Sequence, residues 1–354
     1  MSKIKTGALT LLCCVCVGLV GMALIALTAC GHSQQGEAVS SESPFGDGMF
    51  GYSLGAINPQ FGPLGGVLFM DTPQDELIIE FMNFRGADAD FVLKILFNHQ
   101  EVDFKVTSYE NPDLTFGYIF HLEDGATINI PISLSENVKA NTDYATLILM
   151  AIAHPHSFQK DIQFFYNKKY GVNSVHYVFF NTDEETRTHI VHQWESHGFQ
   201  YINWSLSLEM DLFEYPANVF PSPYFDFNVT INTNNNVLDY IYRFPPAYVR
   251  VQAGERIEFD FLLGDFTGDL RDKFVIFGLL NWRQIELNGQ PFLPVRLTSN
   301  AETRNRNAHF DSFVIYAPTE PGMYEFIVYA RAVRNRICWA SNMENSFRIT
   351  IVVE

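Results

Sequence analysis

The sequence predicts an all-β protein built as two tandem antiparallel β-sandwiches, and three observations predict it. Apolar and polar residues alternate with period two in nearly every segment after Gly65, as half-buried strands require. These segments recur about every ten residues with polar turns between them, the spacing of a sandwich. Beyond the N-terminal leader, only Asp183–His197 carries a convincing helical pattern.

The alternation can be followed strand by strand. In Glu76–Phe84, the side chains of Leu77, Ile79 and Phe81 share one face. Phe91–Phe97 is apolar around a single charge, Lys94, as in a central strand. Val102–Val106 alternates, with Asn98–Glu101 as the turn before it, and Ala126–Leu134 and Tyr144–Ala153 add two more strands. Asn173–Asn181 and Phe199–Leu212 are extended as well. Between them, Thr182 and Glu185 have the spacing of a capping box. Ile190, Val191 and Trp194 give the helix an apolar side, and Gly198 ends it.

A proline-punctuated break, Tyr215–Pro223, marks the expected domain boundary. After it, Phe225–Ile231, Arg256–Phe261 and Lys273–Leu280 read as strands. Asn288-Gly289 follows Gln284–Leu287 as a hairpin turn signal. Met323–Ala332 and Ser346–Val353 close the series. The predicted organisation is a leader over 1–29, a Gly-, Ser-, Gln- and Glu-rich tether over 30–63, and sandwiches over 64–222 and 223–354.

Two short motifs resemble known families. Ala317-Pro318-Thr319-Glu320-Pro321-Gly322-Met323-Tyr324 resembles the turn before the penultimate strand of immunoglobulin-like bacterial surface modules. The resemblance implies an immunoglobulin-like fold for the second sandwich and no activity. No second copy of this signature stands in the first sandwich, so the sequence shows no repeat.

The other motif lies at the N-terminus. Lys3 and Lys5 precede an uncharged, largely apolar run, Thr6–Ala29, which has the form of a secretory signal. It ends in Leu27-Thr28-Ala29-Cys30, which resembles the bacterial lipobox. The resemblance implies cleavage before Cys30, a thioether-linked diacylglycerol on Cys30, and a site outside a bacterial cell membrane. An uncleaved membrane-spanning helix is the alternative, because about 20 apolar residues span a bilayer.

The net charge is −17, and loss of the two leader lysines takes it to −19. That balance opposes contact with nucleic acid or anionic lipid through bulk charge, leaving the lipid as the membrane partner. Cys13, Cys14 and Cys16 belong to the leader. Only Cys30 and Cys338 remain, and with lipid on Cys30 no internal disulfide is expected. Stability must come from core burial, and 32 Phe and 16 Tyr supply it.

No hydrolase elbow, phosphate loop or Cys-His pair stands in the sequence. His189, His192 and Glu195 share one face of the predicted helix, a spacing that suits zinc. The catalytic His-Glu-x-x-His order is missing, and a solvated polar face explains the same residues. His197 falls about 140° further round, and His154-Pro155-His156 reads as a strand-end turn. Asp265 and Asp269, with Asp260 and Asp272 nearby, offer hard oxygen ligands for calcium but lack the alternating spacing of a calcium loop.

The expected role is therefore a lipid-anchored surface protein that binds an extracellular protein or glycan, or acts as a spacer, without a cofactor. The alternative is a secreted metal-dependent hydrolase using the His154–His197 segment. Bound-metal analysis separates the two. We expect no stoichiometric zinc and no change in melting temperature on chelation. One zinc per chain, lost in His192→Ala, would select the hydrolase.

Overall fold

In the computed structural model the described residues are 51–60, 66–84, 86–108, 113–153, 171–183, 207–214, 226–231, 248–264, 273–297, 307–333, 343–345 and 348–354. Every regular element among them is a β-strand. The predicted helix lies outside the described residues after Asp183.

The first half contributes β1 (Gly51–Ile57), β2 (Val67–Met70), β3 (Leu77–Phe84), β4 (Ala89–Phe97), β5 (Gln100–Glu101), β6 (Phe104–Val106), β7 (Tyr118–Leu122), β8 (Thr127–Leu134), β9 (Tyr144–Ala153) and β10 (Gly171–Phe180). One sheet has the order β1-β3-β8-β6; the other has the order β2-β10-β9-β4-β5, with β7 also on β4. Alternate residues of each strand meet between them. Leu77, Ile79 and Phe81 of β3 pack against Phe91, Leu93 and Ile95 of β4 and Leu147 and Leu149 of β9. The Phe81 and Phe91 rings lie 4.7 Å apart, edge to face, an arrangement that adds to their burial. β1 begins inside the stretch whose composition reads as tether and pairs with β3 along its whole length.

The second half contributes β11 (Leu208–Glu214), β12 (Asp226–Ile231), β13 (Tyr248–Val251), β14 (Arg256–Gly264), β15 (Lys273–Leu280), β16 (Arg283–Ile285), β17 (Leu293–Leu297), β18 (Asn307–Tyr316), β19 (Gly322–Ala332), β20 (Met343–Asn345) and β21 (Ile349–Val353). Their order is β12-β14-β18-β11-β17-β15-β19-β21-β13, with β16 on β15 and β20 on β19. The sheet doubles over at β11. Leu208–Met210 run parallel to β17, whereas Asp211–Glu214 run antiparallel to β18 in the facing layer. Thus β11, which precedes the proline break, pairs with strands that follow it. Phe259, Phe261, Phe274, Phe313 and Phe326 fill the enclosed core.

The two halves are the same sandwich twice. β1, β2, β3, β4, β5, β7, β8, β9 and β10 correspond to β12, β13, β14, β15, β16, β17, β18, β19 and β21, with matching neighbours. Even the direction of pairing is kept, since β2 is parallel to β10 and β13 to β21. Register is kept as well. Phe91 faces Ala153 and Phe97 faces Leu147; Phe274 faces Ala332 and Leu280 faces Phe326. Pairing therefore shows a repeat that residue identities conceal. Both sandwiches are antiparallel at heart and immunoglobulin-like.

One local device recurs in both halves. The β4–β5 hairpin turns on Asn98-His99 (φ 51° and 67°), and β15–β16 turns on Asn281-Trp282 (φ 44° and 65°). Asn tolerates this left-handed conformation better than other side-chain-bearing residues. Asn98 N–H donates to Thr146 O (2.8 Å), and its Oδ1 accepts from Thr146 N–H (2.9 Å). Asn281 makes the same pair of bonds to Glu325, both at 2.8 Å. Asn288, in the predicted Asn-Gly turn, does likewise with Val314.

Asn98→Ala should therefore cost about 2–4 kcal/mol, from the left-handed backbone and the orphaned Thr146 N–H. Asn98→Gly should recover the backbone part. Urea unfolding of both variants measures the split.

Candidate functional site

Strand alternation decides what faces outward from each core, and in both halves that outward face is also buried. On β4 the outward residues are Val92, Lys94 and Leu96; on β9 they are Ile148, Met150 and Ile152. Across from them stand Phe277 and Leu279 of β15 and Ile327 and Tyr329 of β19, in one apolar cluster. Phe69, Tyr177 and Phe179 form a second cluster with Val275 and Val333. The two equivalent sheets are thus packed face to face, and a polar seam runs along their contact.

The seam has the reciprocity of a twofold axis. Glu101 of β5 and Gln284 of β16 are equivalent positions, facing Leu96 and Leu279 respectively. Glu101 N–H donates to Gln284 Oε1 (2.5 Å), and Gln284 N–H donates to Glu101 Oε2 (3.1 Å). A contact in which i meets j and j meets i is isologous, as in a symmetric dimer. Here both partners belong to one chain.

Around this pair the first half supplies Lys94, whose ammonium donates to Glu101 Oε1 and to Phe116 O. The second half supplies Arg283, whose Nε lies 3.0 Å from Glu101 Oε2 and whose guanidinium stacks 3.9 Å over the Phe116 ring. Gln284 Nε2 also donates to His99 O (2.8 Å) and Pro291 O (2.7 Å). Glu101 thereby receives three donors, two of them from the other sandwich. Burial pulls the Lys94 pKa down, and the Glu101 carboxylate opposes that shift.

Two further arginines cross the seam. Arg331 Nη1 donates to His99 Nε2 (2.7 Å), and Nη2 donates to the Tyr177 hydroxyl (3.3 Å). Because a guanidinium can only donate, His99 accepts as a neutral imidazole. Its burial, with Arg331 beside it, holds its pKa well below the usual histidine range. Arg348 Nη2 donates to Ala153 O, the end of β9, at 2.5 Å, and its guanidinium lies 5.0 Å over Trp282. Arg348 Nη1 also stands 3.0 Å from Glu325 Oε1. That contact is an ion pair without hydrogen-bond alignment, since both Glu325 oxygens lack a well-oriented donor among the described residues. Burial dominates, and the Glu325 pKa is pushed up to about 7 despite Arg348.

Chemically, this arrangement is a lock. Glu101, Arg331 and Arg348 each meet groups from the opposite sandwich, so these polar contacts are complete only in one relative placement. Lys94 was visible in the sequence as the lone charge of an apolar strand. Glu325 and Arg331 were not singled out, although each is a charge at the parity opposite to Phe326, Val328 and Ala330. Neither signal names His99 and Tyr177, the partners of Arg331 that lie 232 and 154 residues away. Among the residues singled out by the sequence, Cys30, His154, His156, His189, His192, Glu195, His197, Asp265, Asp269, Asp272 and Cys338 lie outside the described residues. Asp260 is buried in β14. Among the described residues, no three His, Cys, Asp or Glu side chains are grouped to hold a metal.

The seam carries a pH signature. A folded-state pKa near 7, against an ordinary 4.5, means that the native state holds the Glu325 proton more tightly than the unfolded chain. That contribution is fully present below pH 4.5 and is lost as pH rises to about 7, a change of about 3 kcal/mol. His99 and His176, the latter pulled down to about 4 by burial, act oppositely and remove stability below pH 6.5. The stability difference between Glu325→Gln and the parent protein should therefore change across pH 4.5–7 and be flat above it. Urea unfolding at stepped pH measures this.

No protein-family model matches the sequence, and no curated protein is significantly similar to it. Solved structures give only loose alignments. The CARDB domain of PF1109 from Pyrococcus furiosus aligns at TM-score 0.26 and 14% identity, covering 40% of this chain and 100% of that one. A red sea bream transglutaminase aligns at 0.23 and 11%, covering 87% and 32%. The AgI/II polypeptide BspA C-terminal domain of Streptococcus agalactiae aligns at 0.21 and 10%, covering 85% and 99%. Alignments this loose carry no argument about function.

Proposed function

We propose that this protein is a lipid-anchored extracytoplasmic surface protein whose paired sandwiches serve as a rigid binding module for a protein or glycan. The observation that carries the reading is the seam. Two sandwiches fused by burial on both faces of their central sheets, with charges matched across the contact, suit a body that presents its outer surface in a fixed orientation. The Leu27–Cys30 motif supports the location, because a diacylglycerol supplies two acyl chains, and two chains anchor stably where one does not. The acidic body would add no attraction to an anionic membrane.

Cys30→Ala should abolish incorporation of labelled palmitate and leave an unprocessed precursor in the membrane fraction. Continued labelling of Cys30→Ala protein would sink the anchor. Binding of the protein to extracellular protein or glycan displayed on an array, with no turnover of the bound material, tests the module.

A further inference from the structure

The pseudo-twofold of the body is broken at one sheet edge. In the second half the outer edge of β17 carries β11, which runs parallel to Val295–Leu297. The equivalent residues of the first half follow from register. Phe274 faces Val295 and Phe91 faces Phe120, so Phe120–Leu122 of β7 occupy the place that β11 covers. Among the described residues β7 pairs with β4 alone. The neighbouring position also differs in burial. Pro294 of β17 is buried, whereas its equivalent on β7, Ile119, is 52% exposed, and Leu114 nearby is 47% exposed.

We propose that the outer edge of β7 is a docking site for an extended segment of a partner protein, which adds to the sheet as a parallel strand in the place that β11 holds in the other half. The proposal rests on reading the body as a binding module and names its site and the class of its partner. Main-chain bonds to an open edge give such a segment its affinity, and alternate side chains give it specificity. Asp88, Asp90, Glu123 and Asp124 stand exposed around the far end of β7, with His121 paired to Asp90 at 2.9 Å. The matching segment therefore alternates apolar residues, to cover Ile119, with Lys or Arg. It docks on β7 alone. The turn Glu123–Ala126, closed by Ala126 N–H on Glu123 O (3.2 Å), joins β7 directly to β8 and bars the crossing that β11 makes.

The test is selection of nine-residue peptides, displayed on phage, against the purified full chain. We expect a pool of alternating apolar and basic residues. Its binding should fall at least tenfold in Ile119→Lys, persist in Ile119→Val, and be lost when alternate peptide amides are N-methylated. Ile119→Lys sits at an exposed position and should keep the parent melting temperature, which reports that the fold is intact. A pool that binds Ile119→Lys as well as the parent overturns the β7 site, and so does the absence of any enriched pool. Self-association of the full chain that depends on Ile119 assigns the edge to a second copy and overturns a partner protein. None of these outcomes touches palmitate labelling at Cys30, so failure here is distinct from failure of the anchored-module reading.

Discussion

The face-to-face contact of two equivalent sheets is the constraint on which the rest of the molecule depends. A sandwich sheet ordinarily buries one face and wets the other, and its strands alternate accordingly. Here β4, β9, β15 and β19 are buried on both faces, so apolar residues are needed at both parities. Burial is non-directional and roughly proportional to area, so it holds the halves together without fixing how they meet. Orientation comes from the polar groups, because a buried charge without its partner costs several kcal/mol. Glu101, Arg331 and Arg348 reach their partners in the other half only when β5 meets β16.

The duplication explains the geometry, and divergence explains its direction. Equivalent sheets can pair about a twofold axis, and the reciprocal Glu101–Gln284 bonds lie on it. The charges around that axis are unlike in the two halves. Register equates Lys94 with Phe277, Thr146 with Glu325 and Ile152 with Arg331. Two copies of the first face would set Glu101 against Glu101 without the Arg283 that satisfies it. Each face is therefore suited to the other and poorly suited to itself, a repulsive element of the kind that gives specificity. Pairing within one chain also benefits from a high effective concentration.

What survived the divergence is informative about folding. The Asn turns at 98 and 281 keep the same bonds to the neighbouring strand although His99 and Trp282 beside them differ. Only a few residues accept the left-handed backbone, and Asn is one that can also return a side-chain oxygen to the adjacent N–H, without a charge. Residues that pack, by contrast, exchange freely provided that volume and parity are kept.

By itself the sequence determined the all-β class, because period-two alternation is a local property, readable in Leu77–Phe84 or Tyr324–Ala330 without any partner. It also determined the Asn-Gly turn at 288, where backbone conformation dictates residue type. Tertiary structure decided everything that depends on pairing. β1 was hidden in a small-residue stretch, Gly51–Ile57, whose extended form comes from the edge of β3. β11 was assigned by chain order to one side of a proline break and by hydrogen bonding to the other. The repeat was invisible because it resides in register and neighbour order, which residue identities do not record. The candidate site was half legible. Lys94 stood out as the single charge of an apolar strand and Arg331 did not, and the meaning of both required the facing sheet, since a charge on a strand's outer face is ordinarily solvated. Only a second buried face turns it into a lock.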